Sequence, residues 1–155
     1  MATIELRGGP GQWTTYGKQL IAQSMSEKGK AFLGAAVLLR QRGAYEYAVL
    51  HLLCQGIEVL GKGFLLSVDY DTYKPKLRGY GHNLVKLLCA VEKESNISIL
   101  KPAVREELVA LSNLYAQHRL RYGSGYDILV NPTTIPSRRV LLRVAALMRR
   151  MERKS

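Results

Sequence analysis

The sequence predicts an all-α chain folded as an up-and-down bundle of four to five helices, in a single domain spanning residues 1–155. Three observations carry that expectation. Apolar residues recur at three- and four-residue steps along most of the chain, and no segment shows a convincing two-residue alternation. Two long helical stretches meet at Gly43, which leaves room only for a tight antiparallel hairpin. A chain of 155 residues that is 47% hydrophobic and 23% charged can also bury one real core, and is neither disordered nor fibrous in composition.

The elements follow in order. Residues 1–12, with Gly8, Gly9 and Pro10, read as a flexible lead-in. From about Trp13 to Arg42 one long helix is expected, its inward face set by Leu20, Ile21, Met25, Phe32, Ala35, Ala36 and Leu39, and its end by Gly43. A second helix, about Ala44 to Asp69, is apolar nearly all round through Val49, Leu50, Leu53, Ile57, Leu60, Phe64 and Leu65, which marks the centre of a bundle. Tyr70 to Gly81 reads as a polar loop. Asn83 is then an N-cap for a shorter helix to about Glu94, with Leu84, Leu87, Leu88 and Val91 inward. Pro102 opens a fourth helix at its first turn, where a missing N–H costs nothing, and Val104, Leu108, Leu111 and Tyr115 form its stripe. Gly123 to Pro136 reads as a second long loop, in which Tyr126 to Val130 is the one place for a short extended piece. Ser137 is the expected N-cap of a last helix whose inward residues include Val140, Leu141, Val144, Ala145, Leu147, Met148 and Met151.

Charge narrows the function classes. The net charge is +11, and it is unevenly placed. Residues 1–70 carry 7 Lys+Arg against 5 Asp+Glu, whereas residues 71–155 carry 16 against 7. Such an asymmetry points to a polyanionic partner or an acidic protein. The N-terminus lacks the basic start and apolar run of a secretory signal. The apolar region from Ala44 to Val68 is interrupted by Glu46, His51, Gln55, Glu58 and Lys62, which argues against a lipid-facing span and for no membrane partner. Cys54 and Cys89, each in an apolar helical stretch, suit reduced core thiols and a cytoplasmic location. Three scattered histidines and two distant cysteines give no metal-ligand spacing, so neither a metal nor a cofactor is expected. Phosphate-binding loops, a nucleophile elbow and paired catalytic carboxylates are likewise missing.

Four constellations could still carry chemistry. His51, Gln55, Glu58 and Lys62 fall at i, i+4, i+7 and i+11, one polar line on an apolar rod. That line is a solvent face, a subunit interface or a ligand cleft, and if Glu58 is buried it needs a partner such as Lys62. Next, Gly81-His82-Asn83 places Asn83 as a cap and leaves His82 free to dock back on the hairpin. The third is His118-Arg119 followed by Arg121 and Tyr122, where arginines supply charge and a planar fork and the ring a stacking face for a phosphate-bearing ligand. Catalysis would fall to His118 and Arg121. Finally, Arg139, Arg143 and Arg150 share one face of the last helix, either as a solvated surface or as a nucleic-acid contact.

This order of features resembles the HEPN superfamily of helical-bundle proteins over roughly residues 25–125. Glu58-Val-Leu-Gly-Lys62-Gly-Phe-Leu65 on the second helix is similar to that family's Glu-x-Leu-x-Lys stretch. Gly81-His82-Asn83-Leu84, with Leu87 and Leu88, is similar to its His-(Asp/Asn)-Leu-x-x-Leu helix start, and Arg121-Tyr122 resembles a further feature. The resemblance implies an up-and-down bundle that forms homodimers. It implies one of three roles: a ribonuclease, a toxin partnered by a minimal nucleotidyltransferase, or a non-catalytic module that binds RNA or a nucleotide. The nuclease members carry Arg-x(4–6)-His, which is missing here: at His118 the order is inverted, with Arg119 and Arg121 following. The expectation is therefore a non-catalytic module that binds RNA or a nucleotide through His118, Arg119, Arg121, Tyr122, Arg139 and Arg143.

Overall fold

A computed structural model describes residues 13–120 and 129–152, with the side chains of 150–152 left out. The described residues are mostly helical, joined by short turns and loops, and contain no strand. Helix α1 is Thr15–Gln41 and α2 is Glu46–Val68. Two single turns, α3 (Tyr70–Tyr73) and α4 (Leu77–Tyr80), flank a 3₁₀ turn at Lys74–Lys76. Then come α5 (Leu84–Ser95), α6 (Pro102–Ala116), a 3₁₀ turn at Pro132–Thr134, and α7 (Arg138–Glu152). The all-α expectation holds. Two segments differ in detail: Tyr70 to Gly81 is a run of short helical turns rather than open loop, and most of Tyr126 to Val130 lies outside the described residues.

Local chemistry explains the helix ends. Thr14 Oγ1 accepts the Gly17 amide at 3.1 Å and starts α1. At its far end Gly43 adopts φ +68°, and the Ala44 amide reaches back to Leu39 O at 3.0 Å, which turns the chain into α2 within four residues. Asn83 Oδ1 accepts the Lys86 amide at 2.9 Å, so the expected cap of α5 is real. Pro102 opens α6 as its composition demands.

The last helix is capped differently from expectation. Ser137 stands at the N-cap position, but its Oγ accepts from Arg40 at 2.8 Å. The orphan amides of α7 are taken instead by Glu107 of α6, whose Oε2 accepts Arg139 N at 2.8 Å and Val140 N at 3.1 Å. A carboxylate some thirty residues away thus closes the helix and fastens it to its neighbour.

Packing is organised by α2. Val49, Leu50, Leu53, Cys54 and Leu65 are fully buried, with Leu84 and Leu87 of α5, Leu108, Leu111 and Tyr115 of α6, and Val140 of α7 completing the core. By length and composition α2 could cross a membrane, yet 61% of its apolar window is buried inside the bundle. The inward face of α1 agrees with the sequence reading at Ala36, which is buried, and at Ile21, Met25 and Leu39, which pack against the core, but not at Leu20. Its buried residues are Ala22, Gly29, Leu33 and Ala36, while Leu20 is 45% exposed. The reason is close approach. A Cβ on Gly29 would stand 2.6 Å from the Leu60 backbone nitrogen, and one on Gly56 would stand 2.6 Å from Leu33 Cγ. Glycines facing leucines across the seam set this close approach.

Two substitutions in α1 should therefore differ in sign. Gly29→Ala should cost about 1–3 kcal/mol, since backbone cannot yield as a side chain can. Gly34→Ala, whose Cβ meets nothing within 4 Å, should gain roughly 0.5–1 kcal/mol from the restricted unfolded chain. Urea unfolding midpoints check this, and equal shifts would remove the argument from close approach. Glu107→Ala should cost about 1–2 kcal/mol and loosen α7 selectively, measured as faster amide exchange in its first turn.

Candidate functional site

The polar line on α2 is neither solvent face nor isolated ion pair. Glu58 is buried at 8% exposure, and Gln55, His51 and Lys62 are half-buried beside it. A carboxylate at that depth requires compensation, and three elements supply it. Lys62, one turn on, places Nζ 2.5 Å from Glu58 Oε1 and also donates to Gly81 O at 3.0 Å. His82, just before α5, sets Nδ1 2.9 Å from Glu58 Oε2. Tyr115 of α6, only 1% exposed, sets its hydroxyl 2.9 Å from Gln55 Oε1 and within hydrogen-bond reach of Glu58, so that its one proton serves one of the two at a time.

The electrostatics follow from this arrangement. Burial pushes the Glu58 carboxyl up, but hydrogen bonds from Lys62, Tyr115 and His82, with the Lys62 charge, outweigh it and hold the group below its ordinary value. Cys54, one helical turn before Glu58, is fully buried; burial, aided by the Glu58 charge, pushes its thiol up and leaves it inert.

The three histidines of the chain form a line of ring contacts with Tyr115: His51 and His82 flank Tyr115, and His118 meets His82. His82 meets the Tyr115 ring edge-on at 5.1 Å between centroids, and His51 lies 5.9 Å from that ring on the other element. His118 stands just past the end of α6 and meets His82 edge-on at 5.3 Å. It is exposed and sits in the left-handed region at φ +57°, a conformation that lifts it off the helical path after the Tyr115 and Leu114 carbonyls take the amides of His118 and Arg119. Arg119 follows it and borders a shallow groove of about 380 Å³ that Asn113, Gln117, Val130 and Ile135 also line.

Sequence candidates thus separate into groups. His51, Gln55, Glu58, Lys62, His82 and His118 come together in one seam between α2, the start of α5 and the end of α6, with Asn83 serving as helix cap at its edge. Arg139 and Arg143 do not join it. Arg139 lies 3.9 Å from Glu107, and Arg143 donates to Ser98 O, so both bind α7 to the first part of α6 and the turn before it. Nine helical residues, about 13 Å, separate Glu107 from the end of α6 at Ala116. Arg121 and Tyr122 lie outside the described residues, as does the side chain of Arg150. Tyr115, read from periodicity as sharing the α6 stripe with His118 three residues on, is also the ring that His51 and His82 meet, a role that depends on which helices pack beside it and that spacing does not reveal. Among the described residues no group of three His, Cys, Asp or Glu is placed to hold a metal ion.

Glu58 makes the stability of the fold depend on pH with a definite sign. A carboxyl held below its unfolded value stabilises the native state above about pH 4.3, and that contribution fades as pH falls through the lower folded value. Glu58→Gln should lower stability at neutral pH by about 1–3 kcal/mol and flatten the acid limb of a urea-midpoint profile. A parallel limb in the variant would place the acid sensitivity elsewhere. No protein-family model matches the chain, and no curated protein or solved structure shows significant similarity to it.

Proposed function

We propose that the protein binds RNA or a nucleotide at the seam where His82 and His118 meet, without need of catalysis, as a HEPN-like module. The observation that carries this reading is the chain of ring contacts His51–Tyr115–His82–His118, with His118 and Arg119 exposed at a helix end. The ring nitrogen of His82 that faces Glu58 is occupied, which leaves Nε2 for a phosphate oxygen. Arg119, next in the chain to His118, adds charge at that helix end, and the groove it borders with Gln117, Val130 and Ile135 lies on the other face of α6, open to a further part of the ligand. The +9 excess of residues 71–155 supplies the long-range attraction.

Binding of this kind is dominated by phosphate contacts and should weaken steeply as salt rises. Fluorescence anisotropy with labelled oligouridylate should show tight binding at 50 mM salt and a loss of at least tenfold by 200 mM. His118→Ala should weaken it about tenfold while leaving the thermal midpoint unchanged. A flat salt response, or full affinity in the variant, would overturn the assignment.

One specific contact favours a second reading, that of an RNA-cleaving enzyme. The Glu58–His82 hydrogen bond is the arrangement that orients an imidazole with its other ring nitrogen outward, and a second histidine stands 5.3 Å away. In that reading His82 accepts the proton of a ribose 2′-hydroxyl as its oxygen attacks the adjacent phosphorus. His118 protonates the departing 5′-oxygen, giving a 2′,3′-cyclic phosphate and a 5′-hydroxyl. Incubation of end-labelled RNA with the wild type, His82→Ala and His118→Ala separates the two. Cyclic-phosphate products lost in both variants establish catalysis, and intact RNA bound by the wild type establishes the binding module.

A further inference from the structure

A second basic feature lies outside the seam and was not singled out by motif. Between Asp71 and Glu92 the chain carries Lys74, Lys76, Arg78 and Lys86 and no carboxylate. All four cations are exposed on the short turns and the first turn of α5. Aromatic rings alternate with them. Lys74 lies over the Tyr70 ring at 6.0 Å, Lys76 over Tyr73 at 5.3 Å and Lys86 over Tyr80 at 5.8 Å, while Tyr70 and Tyr80 are only half-buried.

The nearest acids are turned to other work. Asp69 accepts the Thr72 amide at 3.0 Å, Asp71 pairs with Lys18 at 2.6 Å, and Glu94 accepts the Tyr73 hydroxyl at 2.5 Å. Glu92 takes the Ile99 and Leu100 amides at 2.5 and 2.6 Å. No ion pair ties Lys74, Lys76, Arg78 or Lys86 to a carboxylate among the described residues. The end of this strip is also fixed to the seam. Lys62 holds Gly81 O, Lys86 holds Gly79 O at 3.0 Å, and the next residue is His82 on Glu58.

We infer that the Lys74–Lys86 strip is a landing track for single-stranded RNA, which it guides to His82. A phosphate can draw these lysines off the ring faces, Lys86 by exchanging its Gly79 O bond for a phosphate oxygen, and an unstacked base can then take the face of Tyr70 or Tyr80. An acidic protein would use the charges but gain nothing from the rings, and a duplex keeps its bases stacked away from them. The inference rests on the reading of the seam as an RNA site, and selects an RNA strand over a free nucleotide as the ligand.

The test compares two variants by anisotropy, after circular dichroism shows both folded. The triple substitution Lys74→Gln, Lys76→Gln, Arg78→Gln should weaken binding of a labelled 12-nucleotide oligouridylate tenfold or more. It should also reduce the salt slope by about two units, since each lost contact on a single strand contributes about 0.7. Tyr80→Leu, which keeps bulk and removes the aromatic face, should weaken the oligomer severalfold with the salt slope unchanged. Unchanged oligomer affinity and slope in the triple variant would overturn the track. So would equal affinity for a 12-base-pair duplex, which needs no ring, or for polyglutamate, which would mark an acidic-protein surface. Failure of the seam is distinguishable: oligomer binding then stays sensitive to the triple variant but indifferent to His82→Ala and His118→Ala.

Discussion

A carboxylate set into an otherwise apolar helix has to be neutralised by its neighbours, and Glu58 imposes that requirement on the middle of this bundle. Lys62 meets it from the same helix, His82 from the approach to α5, and Tyr115 from the end of α6. Each partner fixes something else in turn. Lys62 ties down Gly81 O, so the short turns before α5 acquire a definite endpoint. Tyr115 holds Gln55 and packs against two histidine rings, His82 edge-on and His51 tilted. One buried charge thereby sets the relative placement of three elements that apolar packing alone would leave free to slide.

The same helix solves a second constraint with glycine. Gly56 admits Leu33 of α1, Gly63 admits Ser26, and Gly61 faces Leu87 of α5. Bringing α1 this close leaves no room on that side for long polar side chains. The polar line of α2 is therefore confined to the face toward α5 and α6, where its partners are. Close packing on one side and polar compensation on the other are two halves of one arrangement.

Much of this was legible from residue order. The two long helices, the Gly43 turn, the Asn83 cap and the Pro102 start are local effects of backbone chemistry, and spacing of four put Lys62 in reach of Glu58. What could not be read are the contacts that depend on which helix ends up beside which. That His82 and His118 meet, thirty-six residues apart, follows from the antiparallel path of α5 and α6 and not from any motif. Periodicity assigned Leu20 to the core of α1 because it weighs hydrophobicity and not fit, whereas the seam sets glycines against leucines. Ser137 had the right type for a cap, but Arg40 took its hydroxyl and a carboxylate from another helix did the capping.

That borrowed cap has a consequence for how the bundle comes apart. Helix α7 owes its first turn to Glu107, its approach to Arg40 and Ser137, and the chain before it to the Tyr47 hydroxyl on Val130 O at 3.0 Å. Everything that holds it therefore belongs to the finished assembly of the preceding helices. It can form only after they have docked, and it can open while they stay closed. Native-state exchange should resolve α7 as a separate cooperative unit of low opening energy.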